Sequence, residues 1–112
     1  MNRFEFGEIF LVRFHPASGK EIKKYRPAVI VNTLNQIDKR FVMIVPLTSN
    51  LDDQKDFEII IKNKNLKYES KILTWYIRTV DVSRLVERIS ILSEKDRKTL
   101  KANLLRLFKY NS

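Results

Sequence analysis

Cysteine is absent from this 112-residue chain, and histidine occurs once, at His15. No disulfide can form, no thiolate can hold zinc, and one imidazole is too few for a histidine cage, so any chemistry is expected to run without a metal or other cofactor. Glycine is nearly as scarce, with Gly7 and Gly19 alone, which moves the work of turning onto residues such as Asn35, Asp38, Asn50, Asn63 and Asn65. Long apolar runs are missing too. The longest, Phe41 to Leu47, is far too short to cross a bilayer, and Glu5 and Glu8 interrupt the N-terminal stretch MNRFEFGEIF where a secretory signal would be continuously apolar. A cytoplasmic protein with no membrane partner is expected. The length suits one domain, residues 1–112, with one core.

What the chain has in excess is positive charge. Lys and Arg number 22 against 13 Asp and Glu, a net +9, which favours a polyanionic partner. The cations cluster: residues 15–26, 62–71 and 94–109 carry +3, +3 and +4, while 52–58 carries −3. A lysine-rich solvated surface would give the same totals, so motifs must decide between the two.

Residues 6–14 (FGEIFLVRF) alternate with both faces largely apolar, as in a strand covered twice. Further β-branched and aromatic runs at 27–33, 41–48, 57–63, 71–79 and 86–91 make six expected strands, which read as a small barrel. At the C-terminus the period changes. Ser93 with Asp96 three residues later resembles a capping box, and Leu100, Leu104, Leu107 and Phe108 recur at helical spacing, so a helix is expected over about 94–108. Its apolar stripe is read as core, with Lys101, Arg106 and Lys109 outward.

Polar groups stand where the strand pattern wants apolar ones. Pro27 suits the first residue of a strand and holds Arg26 extended at its mouth. If strands two and three share a rim, Arg26 meets Thr48. A guanidinium fork and a rotatable hydroxyl then form a notch for an oxyanion. Thr48-Ser49-Asn50 also reads as a plain turn, Arg78 and Asp81 as a structural ion pair or turn lock, and His15 as a loop residue. Trp75 and Tyr76 are expected on opposite faces of one strand, the exposed ring being able to stack on a base.

In order along the chain, Gly7-Glu8-Ile9-Phe10-Leu11-Val12, Pro16-x-x-Gly19-x-Glu21, Arg26-Pro27-Ala28-Val29-Ile30-Val31, Val45-Pro46-Leu47-Thr48-Ser49, Ser70-Lys71-Ile72-Leu73 and Ile77-Arg78-Thr79-Val80-Asp81 form a pattern. It resembles the MazF/PemK (Kid) family of toxin ribonucleases over nearly the whole chain. The resemblance implies a mainly β fold with a C-terminal helix (α+β), an SH3-like barrel of the CcdB/PemK toxin type. It also implies a homodimer, metal-independent cleavage of single-stranded RNA at specific sequences, and inhibition by a cognate acidic antitoxin.

Carried over by position, Arg26 and Thr48 match the family's catalytic arginine and hydroxyl residue, and Glu21 a glutamate whose loss disables such toxins. On this reading Arg26 stabilises charge growing on phosphorus, Thr48 adds a hydrogen bond, and Glu21 is the candidate base. The acid is left among water, Lys20 and His15. Substrate contacts are expected from Lys20, Lys23, Lys24, Ser49 and Arg78, with Trp75 or Tyr76 stacking a base. The segment from Lys62 to Lys71 should also bind phosphates. This chain departs from one branch of the family, in which the positions of Leu73 and Trp75 hold an arginine and an aspartate and that of Lys20 a histidine; that branch's acid and base assignment cannot apply here. Two rivals use the same barrel: a non-catalytic nucleic-acid or protein binding module, and a gyrase poison, although the ending Phe108-Lys109-Tyr110-Asn111-Ser112 lacks the aromatic-glycine terminus expected of the latter.

Overall fold

The computed structural model describes residues 4–14 and 25–110. They form seven strands and a helix: β1 (Glu8–Arg13), β2 (Tyr25–Asn32), β3 (Phe41–Thr48), β4 (Ile59–Ile61), β5 (Ser70–Ile72), β6 (Arg78–Asp81), β7 (Leu85–Ile91) and α1 (Glu94–Lys109). All pairings among the described residues are antiparallel, in the order β4-β5-β3-β2-β1-β7. Strand β3 is where the sheet forks: Phe41–Ile44 pairs with β6, and Leu47–Thr48 pairs with β5.

Both faces of β1 carry buried residues, as its sequence predicts, and so do both faces of β2 and β3. Ile9, Val29, Val45 and Leu47 point into one core cluster, which Leu92 and Leu100 complete. Their neighbours Phe10, Val12, Ala28, Ile30, Val42 and Ile44 point into a second cluster with Phe14 and Val80. Period-two alternation thus divides three strands between two cores.

The run at 71–79 is not one strand. It breaks after Ile72: the Leu73 amide donates to the Pro46 carbonyl at 2.9 Å, the Tyr76 amide turns back onto the Leu73 carbonyl at 2.9 Å, and pairing resumes at Arg78. This break turns six expected strands into seven. The helix begins where its cap predicts, with the Asp96 amide donating to Ser93 Oγ at 3.1 Å. Of its stripe, Leu100 is fully buried and Leu104 packs on the first cluster, but Phe108 is 72% exposed, so the stripe leaves the core before the helix ends. Gly7 has φ +92°, a conformation that calls for glycine at this entry to β1, and a Cβ there would lie 2.5 Å from Arg97 Cδ and displace that side chain.

Candidate functional site

The β2–β3 register ends at Ala28 opposite Pro46, and Arg26 and Thr48 each lie two residues beyond it, at the open end of the pair. The two side chains line one surface cavity of about 220 Å³, together with Ser49, Tyr25, Lys67 and Tyr68. Arg26 is half-buried, and none of the ion pairs among the described residues engages it. Thr48 Oγ1 accepts a hydrogen bond from the Asn50 amide at 3.1 Å. The turn reading of Thr48 is therefore correct, and it is compatible with a site. A hydroxyl oxygen has two lone pairs and one proton; the turn occupies a lone pair and leaves the proton able to donate into the cavity. A guanidinium fork beside a hydroxyl donor can bind a phosphate oxyanion and stabilise added negative charge on it.

Beside the cavity, across the β3–β5 ladder from Thr48, lies Lys71. Its Nζ sits 3.1 Å from Glu58 Oε1 and donates to the Asp52 carbonyl at 2.7 Å. The side chains of Lys71 and Glu58 are 6% and 1% exposed. Glu58 also accepts from the Lys55 amide at 2.8 Å and from Trp75 Nε1 at 2.6 Å. Burial alone would raise the Glu58 pKa. The Lys55 amide, the Trp75 indole and the Lys71 ammonium outweigh burial and hold it below the ordinary carboxylate value. This network ties the segment 52–58, which follows the Thr48-Ser49 turn, to β5. Lys71 is consumed by it and cannot meet a phosphate, which corrects the assignment of the whole run Lys62 to Lys71 to strand binding.

Trp75 and Tyr76 do not occupy opposite faces of a strand. They lie in the β5–β6 connection with their rings stacked, centroids 5.4 Å apart and planes 7° from parallel, and are 44% and 43% exposed. The backbone turn at Leu73–Tyr76 removes the alternation on which the expectation rested. Arg78 lies over the Phe14 ring at 5.0 Å, and the residues lining the cavity do not include it. It makes no ion pair with Asp81, whose carboxylate instead accepts from the Ser83 amide and caps the short turn Val82–Arg84.

Glu21, Lys20, Lys23, Lys24 and His15 fall outside the described residues. Two cavity residues were not singled out in the sequence reading, Tyr25 and Tyr68, while Lys67 belongs to the run Lys62 to Lys71 expected to bind phosphates. The signal of the two tyrosines was available, since each is an aromatic ring beside a basic segment. What sequence could not show is that the β4–β5 connection comes to lie against the mouth of β2.

The arrangement has relatives. The family model described as PemK-like, MazF-like toxin of type II toxin-antitoxin system matches residues 5–108. The chain is 30% identical over 95 residues to Endoribonuclease MazF9 of Mycobacterium tuberculosis, covering 78% of this chain and 80% of that protein. It is 32% identical over 94 residues to Endoribonuclease MazF of Staphylococcus epidermidis, covering 79% and 77%. Among solved structures, the MazE-MazF complex (Form-II) of Deinococcus radiodurans superposes with a TM-score of 0.77 at 20% identity, over 96% of each chain. MazF (Form-I) from the same organism gives 0.74 at 20% identity, over 95% and 96%. The structural likenesses establish the fold, an antiparallel sheet with a C-terminal helix, and the family match together with the sequence relatives establishes descent: this chain belongs to the PemK-like, MazF-like toxins of type II toxin-antitoxin systems.

Proposed function

We propose that this toxin is an endoribonuclease that cuts single-stranded RNA without a metal, by attack of a ribose 2′-hydroxyl on the adjacent phosphorus. The 2′-oxygen forms the new bond to phosphorus, the bond to the 5′-oxygen breaks as that oxygen takes a proton from water, Lys20 or His15, and a cyclic phosphate and a free 5′-hydroxyl result. One observation carries the reading: Arg26 and Thr48, far apart in sequence, line one cavity at the end of the β2–β3 pair. Arg26 holds the charge that accumulates on the non-bridging oxygens, and Thr48 donates to one of them. Glu21 takes the 2′ proton, since a guanidinium stays protonated and cannot. The relatives named as endoribonucleases support the activity.

Lys20, Lys23 and Lys24 precede Arg26 in sequence and hold the strand's phosphates, with Ser49 at the turn; Trp75 and Tyr76 offer a stacked aromatic surface to bases. The solved relatives include MazE-MazF complexes and an endoribonuclease with its cognate antitoxin, which supports a cognate acidic antitoxin as the cytoplasmic partner. It would fold onto the basic rim and cover Arg26. A homodimer completes the proposal, supported by the apolar groove of about 510 Å³ beside α1 that Phe4, Phe6, Leu104, Leu105 and Phe108 border.

The test is incubation of purified protein with single-stranded RNA in EDTA, with cuts mapped by primer extension. Discrete cuts are expected, and a 2′-deoxy substitution at the cut should abolish them. Arg26→Ala should lower kcat about 10²–10³-fold with an unchanged unfolding midpoint. Binding without cuts would support a non-catalytic module instead, and cuts indifferent to Arg26→Ala would remove the assigned site.

A further inference from the structure

We infer that Tyr68, with Tyr25 across the same cavity, forms a stacking subsite for one unpaired nucleobase adjoining the phosphate held by Arg26. The inference rests on the nuclease reading for the identity of its ligand, but it can be tested apart from cleavage.

Four observations carry it. First, both rings line the cavity that contains Arg26 and Thr48, and both present large apolar faces to solvent, Tyr68 at 60% exposure and Tyr25 at 48%. An exposed ring at a charged cavity keeps a π-face available for a partner. Second, Tyr68 is held by a braced connection. Asn63 Nδ2 and Asn65 Nδ2 donate to the Ile91 and Ile89 carbonyls of β7 at 3.4 and 3.1 Å, and Asn63 Oδ1 accepts from the Asn65 backbone amide at 3.0 Å. Third, Leu66 packs on the first core cluster, and Ser70 Oγ donates to the Tyr68 carbonyl at 3.0 Å, so the connection is fastened on both sides of the tyrosine. Presenting a ring from a fixed backbone lowers the ordering cost of stacking on it. Fourth, Lys67 Nζ lies over the Tyr68 ring at 5.4 Å from its centroid, so a cation covers one face of the ring, and a base stacks on the opposite face with its phosphate within reach of that cation.

The chemistry excludes several alternatives for this spot. The cavity is too polar at Arg26, Thr48 and Lys67 for a purely apolar ligand, and a bare phosphate would leave both rings unused. An unpaired nucleotide matches each part, with its ring on tyrosine and its phosphate between lysine and arginine.

The probe is a short, fluorescein-labelled, 2′-O-methylated mixed-sequence strand, which cannot be cut, and an abasic strand of the same length. Anisotropy titrations should show wild type binding the base-bearing strand more tightly. Tyr68→Ala should weaken that binding about 5- to 150-fold, leave the abasic strand unaffected, and be rescued by Tyr68→Phe. Lys67→Ala should weaken both strands alike. Equal losses on both strands for Tyr68→Ala, or no loss on either, would overturn the inference. Cleavage of unmodified RNA by the wild type, assayed in parallel, decides the nuclease reading separately, because neither binding strand can react.

Discussion

Two acid–base pairs in this protein differ almost completely in setting. Arg40 Nη2 and Asp38 Oδ2 are 2.7 Å apart in the β2–β3 connection, with side chains 76% and 32% exposed. Lys71 and Glu58 are separated by a longer 3.1 Å, yet both are sealed from water. The shorter contact is the less consequential one. Asp38 also accepts from the Arg40 amide, so the pair locks a turn locally, and water screens most of its attraction. Glu58 and Lys71 instead join two separate stretches of chain, 52–58 and 71–75, through Asp52, Lys55 and Trp75, and each charge would be stranded without the other.

The largest expected effect comes from breaking the interior pair. Lys71→Met keeps the length of the side chain but leaves Glu58 buried and uncompensated, and should cost about 3–5 kcal/mol in urea unfolding. It should also move the emission of Trp75, the one tryptophan in the chain, since the indole is bonded to the same carboxylate. Next is the pH profile. Because the folded pKa of Glu58 lies below its ordinary 4.5, its contribution is complete above that value and is lost as pH falls through the folded one. Glu58→Gln should therefore lower stability near neutrality and flatten the decline between pH 5 and more acid conditions, read as unfolding midpoints across pH. Asp38→Ala should have the smallest effect. The pKa of this carboxyl is lowered to about 2 by the Arg40 side chain and amide, so its contribution fades between 3.8 and about 2. Exposure makes that contribution slight, and the urea midpoint at neutral pH should match the wild type. A large loss at Asp38 would erase the contrast between the two pairs.

The same contrast explains what was legible in the sequence. Strands β1, β2 and β3 could be read because their runs of β-branched and aromatic residues are dense, and α1 because Ser93 and the leucine spacing mark it. The break between β5 and β6 could not: KILTWYIRT has no glycine, proline or asparagine, and the turn is imposed by the Leu73 amide finding the Pro46 carbonyl across the sheet. Glu58 and Lys71 were counted among surface charges because a buried ion pair has no local signature; each lies in a segment dominated by its own sign. Arg26 and Thr48 were legible as a pair because proline and strand ends fix where they stand. Tyr68 was not, since its place at the cavity depends on asparagines reaching β7.

The double coverage of β3 removes a safeguard that most half-buried strands possess. Sliding it one residue past β2 would exchange its faces, and with apolar side chains on both, exposure of the wrong set could not forbid the slip. Pro46 can. Its carbonyl faces Leu73, so its donorless nitrogen faces that way too; a flipped strand would aim that nitrogen at β2 and orphan a carbonyl there, at a cost of about 1–3 kcal/mol. One imino acid in mid-strand thus helps dictate which way the neighbouring threonine points, and with it whether guanidinium and hydroxyl ever share a phosphate.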